Sequence, residues 1–263
     1  DDSWKEVLEL FSEHTFIKAI PIRIQHANAA RNHGKNSASG KYIRFLDDDD
    51  FLYEEAWRQI SLLEESGADI CSGRIRNIDE DGSFLGILNH PRTSDFVSAS
   101  IAHTGFCLPV GNVFLRTAIL DCSWNESVNR GQDQIWMLDL AKHKELNWVH
   151  LEKPVGAWFH HRGHRISIRE KSGHDINLRV NAFKNLRHHL EKNNRLNTER
   201  EAALADILFL YAHKYFPYFP LKCTKLFIYL NTFRTSHTRL PFLWKIETAV
   251  ASTIIVAEWV LLP

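Results

Sequence analysis

Apolar side chains at Trp4, Val7, Leu8 and Phe11 recur at helical spacing behind a polar opening, Asp1-Asp2-Ser3. Ile20-Pro21-Ile22-Arg23-Ile24 alternates as a strand does, Ala27–Ser39 is Ala-rich and helical, and Lys41–Leu46 reads as a strand that ends abruptly at Asp47. A helix from about Glu54 to Glu65 and a short strand at Ala68–Ser72 complete the first rhythm. Strands alternating with helices of this length predict parallel pairing with helices covering the sheet. The rhythm then changes. Arg74–Asp79 and Phe84–Leu88 flank Asp81-Gly82 as a hairpin, and the stretch from there to about Phe106 reads as loop. Gly111–Leu115 is a predicted strand, Asp133–Lys142 a helix and Val155–His161 a strand, and everything after about Asp175 is predicted helical.

Composition narrows the classes. The 263 residues are 44% hydrophobic and 24% charged, enough for a large core. The 32 basic and 32 acidic residues cancel, which argues against a general nucleic-acid binder. The balance hides a split: residues 1–174 carry 20 Lys/Arg against 25 Asp/Glu, and 175–263 carry 12 against 7. The two parts are expected to face different partners. Cys71, Cys107, Cys122 and Cys223 make no zinc or disulfide pattern, so a reducing, cytoplasmic setting is expected. Met137 is the only methionine, so the chain is read as a fragment. The 15 residues Ala249–Pro263, interrupted by Glu258, are too short to span a bilayer.

The chemistry concentrates in Ala30–Asp50, ARNHGKNSASGKYIRFLDDDD. A strand that runs into four carboxylates sets them at the carboxyl end of a sheet, where open α/β folds bind ligands. Neighbouring like charges resist ionising together, and extended geometry would turn Asp47 and Asp49 the same way, ready to share a divalent ion with phosphate oxygens. A solvated acidic turn is the plainer alternative.

This stretch closely resembles the ARNxGxxxAxGxYIxFLDxDD signature of the inverting glycosyltransferase family called family 2, which has the GT-A fold. Asp1-Asp2-Ser3 resembles the start of the family's acidic DDGS loop. Trp124-Asn125-Glu126-Ser127 followed by Gly131-Gln132-Asp133-Gln134-Ile135-Trp136 is similar to FDE…GED…W, and Ala157–Arg162 with Ser167 to a late YRxH motif. The family's first strand and most of its second are missing from the pattern. Gln132 stands for the usual Glu, Lys41 for a Glu, and Lys35 for an apolar residue.

The resemblance implies an α/β, Rossmann-like, mostly parallel sheet flanked by helices with a C-terminal helical extension. It implies transfer of a sugar, with inversion, from a nucleoside diphosphate sugar, UDP-sugar first among them, to a glycan or lipid-linked acceptor. Asp2, Arg31, Asp47 and Asp48 would hold the nucleotide, Asp47 and Asp49 with His161 would hold Mn²⁺ or Mg²⁺, and Asp133 would be the general base. Asp133 alone could equally be a helix N-terminal charge. A non-catalytic sugar-nucleotide or glycolipid binder is the rival reading. A phosphoryl or nucleotidyl transferase would also use an acidic cluster, but it leaves the Gln132-Asp133 motif unexplained.

The tail adds a second expectation. Residues 207–246 hold no Asp or Glu, six Lys/Arg and ten interleaved aromatics from Tyr211 to Trp244. That mixture suits the headgroup region of an anionic membrane, so peripheral attachment at the inner membrane face is expected, against plain helix packing or single-stranded nucleic acid.

Overall fold

The computed structural model describes residues 3–102, 105–160 and 173–233. In chain order the elements are α1 (Ser3–Leu10), α2 (Ala27–Ser37), β1 (Tyr42–Ile43), β2 (Phe51–Leu52), α3 (Arg58–Ser66) and β3 (Ile70–Asp79). They continue with β4 (Phe84–Leu88), α4 (Phe96–Ile101), β5 (Asn112–Leu115), α5 (Arg116–Ile119), α6 (Gln132–His143) and β6 (Trp148–His160). Three helices follow: α7 (Gly173–Lys192), α8 (Thr198–Tyr215) and α9 (Pro220–Leu230). Short 3₁₀ turns precede α3 and β5.

The sheet order is β1-β5-β3-β6-β2, with β4 also on β3. The strand predicted at Ala68–Ser72 and the first hairpin arm fuse into the single ten-residue β3, buried along its first four residues. One edge of β3 pairs with β6 from Ile70↔Trp148 to Asp79↔His160. Its other edge is taken first by β5 and then by β4. Close packing at the β2 end of the sheet depends on a glycine. A Cβ on Gly156 of β6 would lie 2.4 Å from the Phe51 carbonyl oxygen of β2.

The α/β class holds, but the pairing corrects the mostly parallel expectation. Only β3 with β6 is parallel among the described pairings; the β1–β5, β2–β6, β3–β4 and β3–β5 pairs are antiparallel. Ile20–Ile24 is not a strand, and Ile24 is exposed. Alternation supplies the faces of a strand, but its backbone groups need a neighbouring ladder, and no described strand pairs with this segment. The strand expected over Lys41–Leu46 shrinks to two residues. The expected loop before Phe106 contains α4, whose six residues are all buried and whose N-terminus is capped by Asp95 accepting from the Ser98 N–H.

Helices α7 to α9 bear out the predicted helical tail as far as Leu230. Phe183, Leu186, Leu204, Leu208, Phe209 and Phe227 join the same buried cluster as Phe114, Trp136 and Leu140. Arg200 of α8 ties the two parts together. Its Nη2 lies 2.6 Å from Asp95 Oδ1 and 2.6 Å from Glu145 Oε2. Most described rings of the tail are packed inward, including Tyr211, Tyr215, Phe227 and Phe233, whereas Tyr218 is exposed. Phe242, Trp244 and the 249–263 stretch lie outside the described residues. No helix among the described residues is long and apolar enough to cross a membrane.

Candidate active site

Helix α2 is the base on which the site is built. It is Ala-rich, but Asn28, Asn32 and Lys35 repeat at helical spacing and form a polar stripe along one side. Every residue of the stripe docks onto the segment that precedes α6. Asn28 Nδ2 donates to Asn125 O at 2.7 Å. Asn32 Nδ2 donates to Trp124 O at 2.8 Å, while its Oδ1 accepts from the Trp124 N–H at 2.7 Å. Lys35 is 1% exposed, and its Nζ donates to Leu120 O at 2.9 Å and Cys122 O at 2.7 Å. Burial pulls the Lys35 pKa below the ordinary lysine value, opposed by Cys122 and Asp121. The lysine at a position where the family has an apolar residue is therefore a buried plug for loop carbonyls.

Arg31 projects from the same helix, and its guanidinium lies 4.6 Å from the centre of the Trp124 ring. Trp124 in turn stacks on Trp136 of α6 at 4.5 Å with the ring planes nearly parallel. From this seat Arg31 Nη2 reaches Asp47 Oδ1 at 2.6 Å and Asp133 Oδ1 at 3.6 Å, and Nη1 donates to Gln132 Oε1 at 3.0 Å. One planar cation thus gathers the acidic run and the start of α6. Gln132 keeps the hydrogen bond that a Glu there would make, without its charge.

The four aspartates form a turn, closed by the Asp50 N–H donating to Asp47 O at 3.2 Å, rather than the extended segment expected. A turn changes which residues converge. One ligand oxygen each from Asp47, Asp49 and Asp50 lie within 4.8 Å of one another, while Asp48 is exposed and outside this group. Asp50 is the member that sequence reasoning missed. Its Oδ1 accepts from the Phe159 N–H of β6 at 3.3 Å. Burial first, and then the charges of Asp49, Asp47 and Asp133, push its pKa up to about 7, against the Phe159 hydrogen bond. The pattern that could have found it is the final DD of the run, which the resemblance already contained. Three carboxylates held this close, one of them driven toward neutrality, suit a hard divalent cation with oxygen ligands.

Asp133 sits in the first turn of α6, after Gly131 in left-handed conformation with φ 61°. Its side chain is 26% exposed, yet Oδ1 is shielded and without a hydrogen-bond partner. Burial raises its pKa to about 6; Arg31 and Arg179 lower it and Asp47 raises it. That is a carboxylate able to hold or release a proton near neutral pH. Asp2 and His161 lie outside the described residues, so the structure places Arg31, Asp47, Asp49 and Asp133 together and Asp48 apart.

Residues 1–122 match the family model described as glycosyl transferase family 2. An uncharacterized glycosyltransferase of Rickettsia bellii (strain RML369-C) is 36% identical over 77 residues, which is 29% of this chain and 11% of that protein. Among solved structures, S. aureus TarS 1–349 in complex with UDP-GlcNAc superposes with a TM-score of 0.60 at 12% identity, covering 86% of this chain and 63% of that one. S. aureus TarS gives a TM-score of 0.56 at 13% identity over 83% of this chain and 37% of that one. The chain thus spans about a tenth of the curated relative and under two thirds of TarS 1–349. Residues 1–122 are thus similar to glycosyl transferase family 2, and the chain shares the α/β fold of these glycosyltransferase structures.

Proposed function

We propose that this chain is the catalytic part of an inverting glycosyltransferase, with the acceptor a glycan or a lipid-linked molecule at the inner face of a membrane. The unit over 1–168 would carry the chemistry and 169–263 would be its helical extension. The observation that carries the reading is the placement of Asp47 and Asp133 around the single guanidinium of Arg31, which brings a cation-binding acidic turn and a candidate base to one point. TarS 1–349 binds UDP-GlcNAc, and this supports a UDP-sugar as the donor here.

In this reading Asp133 takes the proton from an acceptor hydroxyl as its oxygen attacks the anomeric carbon. The bond from that carbon to the diphosphate breaks, its electron pair leaves with the nucleoside diphosphate, and the single in-line step inverts the configuration. Asp47, Asp49 and Asp50 would hold a Mn²⁺ or Mg²⁺ ion, whose charge stabilises the departing diphosphate. Arg31 fixes the orientation of Asp47 and keeps Asp133 from being fully neutralised. Trp124 and Trp136 hold Arg31 in place. Gln132 orients Arg31 without adding a third negative charge beside Asp133.

Calorimetric titration of UDP-sugars paired with a transfer assay tests this. Asp133→Asn should bind donor as wild type does and lose about 10²- to 10⁴-fold in turnover. Near-full turnover in Asp133→Asn would put the proton acceptor elsewhere. Donor binding with no transfer by the wild-type chain would favour the rival binding-protein reading, in which Gln132 marks a retired site.

A further inference from the structure

Helices α7 and α9 enclose a cleft of about 160 Å³ away from the residues discussed above. Asn177, Asn181 and Lys184 line it from one face of α7, and Lys222 and Lys225 line it from α9. Its floor is apolar, made by Ile176, Val180 and Leu226, which are all buried. The described lining holds three lysines and no carboxylate. Lys184 is held in place by the Tyr229 ring, with Nζ 4.4 Å from its centre. Three lysines and two amide side chains lining one cleft with an apolar floor match a phosphate that carries a hydrocarbon portion.

The surroundings identify the source of that phosphate. On α9, Leu221, Lys225 and Ile228 fall at i, i+4 and i+7 and share one face. Leu221 is 64% and Ile228 52% exposed, and Tyr218 in the preceding turn is 56% exposed, so large apolar groups flank the lysines at the surface. A soluble phosphate has no use for such a rim; a lipid surface does, because the rim can rest at the acyl boundary while the lysines meet headgroups.

We propose that the α7–α9 cleft binds the phosphate headgroup of an anionic phospholipid and seats α9 on the membrane surface. This rests on the glycosyltransferase reading only for its setting near a lipid-linked acceptor. The cleft is a defined site rather than a diffuse charge, because Lys184, Lys222 and Lys225 come from two helices that are set side by side by their shared packing on α8.

Co-sedimentation of the 263-residue chain with phosphatidylglycerol-containing and pure phosphatidylcholine vesicles tests it. Wild type should sediment with the anionic vesicles, and K184Q/K222Q/K225Q should bind about 100-fold more weakly, at roughly fivefold for each lysine near the surface. K153Q/K192Q/K214Q, which removes the same charge elsewhere, should stay within about fivefold of wild type. L221S/I228S should lose the part of the binding that survives high salt, since apolar contact is not screened. Equal loss in the two lysine triples would overturn the site in favour of diffuse attraction. So would equal binding to both vesicle types or none by wild type. Stabilisation by inorganic phosphate alone, lost in the cleft triple, without vesicle binding by either protein, would assign the cleft to a soluble phosphate and overturn the lipid. K225Q alone serves if the triple fails to fold. UDP titration separates the two readings: failure of all variants and wild type to bind UDP, with lipid binding intact, would sink the donor reading and leave this one standing.

Discussion

Replacing Lys35 by Met keeps the length and volume of the side chain and removes its charge and its donors. The ammonium donates to the carbonyls of Leu120 and Cys122, with Ile119 O at a marginal 3.4 Å. Cys122 O keeps a second partner, because it also accepts from Trp136 Nε1 at 3.3 Å. The main loss is therefore one carbonyl left unsatisfied, at about 1–3 kcal/mol, plus a charge-assisted bond of about 1.5–3 kcal/mol. Relief of the buried charge offsets part of this, since the lowered lysine pKa means that burial already disfavours the ammonium. The expected net destabilisation is about 2–3 kcal/mol, or a fall in Tm of roughly 4–12 °C at about 2–4 °C per kcal/mol for a chain of this size. Urea unfolding at neutral pH, with thermal melts in parallel, measures it. Because the plugged segment leads into Gly131–Asp133, transfer activity should fall along with stability. A Lys35→Met protein as stable as wild type would refute the reasoning and show that an apolar residue serves equally well there.

Asp49→Ala should abolish the dependence of UDP-sugar affinity on Mn²⁺ or Mg²⁺, read by calorimetry with and without chelator; unchanged metal dependence would exclude Asp49 as a ligand. Asp95 has its carboxyl held below the usual range: burial acts to raise it, but hydrogen bonds from Arg200 and Ser98 outweigh that. Its stabilisation is therefore complete above the unfolded pKa of about 3.9 and is lost as pH falls through the lower folded value. Asp95→Asn should destabilise by about 1–3 kcal/mol at neutral pH, with the gap to wild type closing below about pH 4 in urea titrations. Gly156→Ala should separate β2 from β6, because its methyl would meet the Phe51 carbonyl at 2.4 Å. Loss of about 2 kcal/mol or more together with weakened metal-dependent donor binding is expected, since Asp50 directly precedes β2. Normal stability and binding would contradict it.

What could be read from the sequence depended on how local its cause was. The hairpin at Asp81-Gly82 was legible because turn chemistry is set within a few residues. The acidic run was legible as a cluster. Its membership was not, since the Asp50 carboxylate is anchored by the Phe159 N–H, more than a hundred residues away. Ile20–Ile24 carried the pattern of a strand without the neighbour that makes one. Helix α4, Phe96–Ile101, was hidden because small and apolar residues buried on all sides show no periodicity. Lys35 read as a departure from a family pattern, and only the fold reveals the carbonyls that it answers.

The polar stripe on α2 has a further consequence, which concerns angle. A helix held by apolar contacts alone can roll or slide a little and recover most of its burial, since dispersion has no preferred direction. Hydrogen bonds do have one, and they weaken steeply once bent. Asn28, Asn32 and Lys35 thus fix the roll of α2 and its position along its axis at three points spread over two turns. Neighbouring side chains on a helix are about 100° apart in azimuth. Arg31 is next to Asn32, so the stripe that grips the loop also sets the bearing of the guanidinium. The aim of the cation that joins the two carboxylates is decided by residues that touch neither of them.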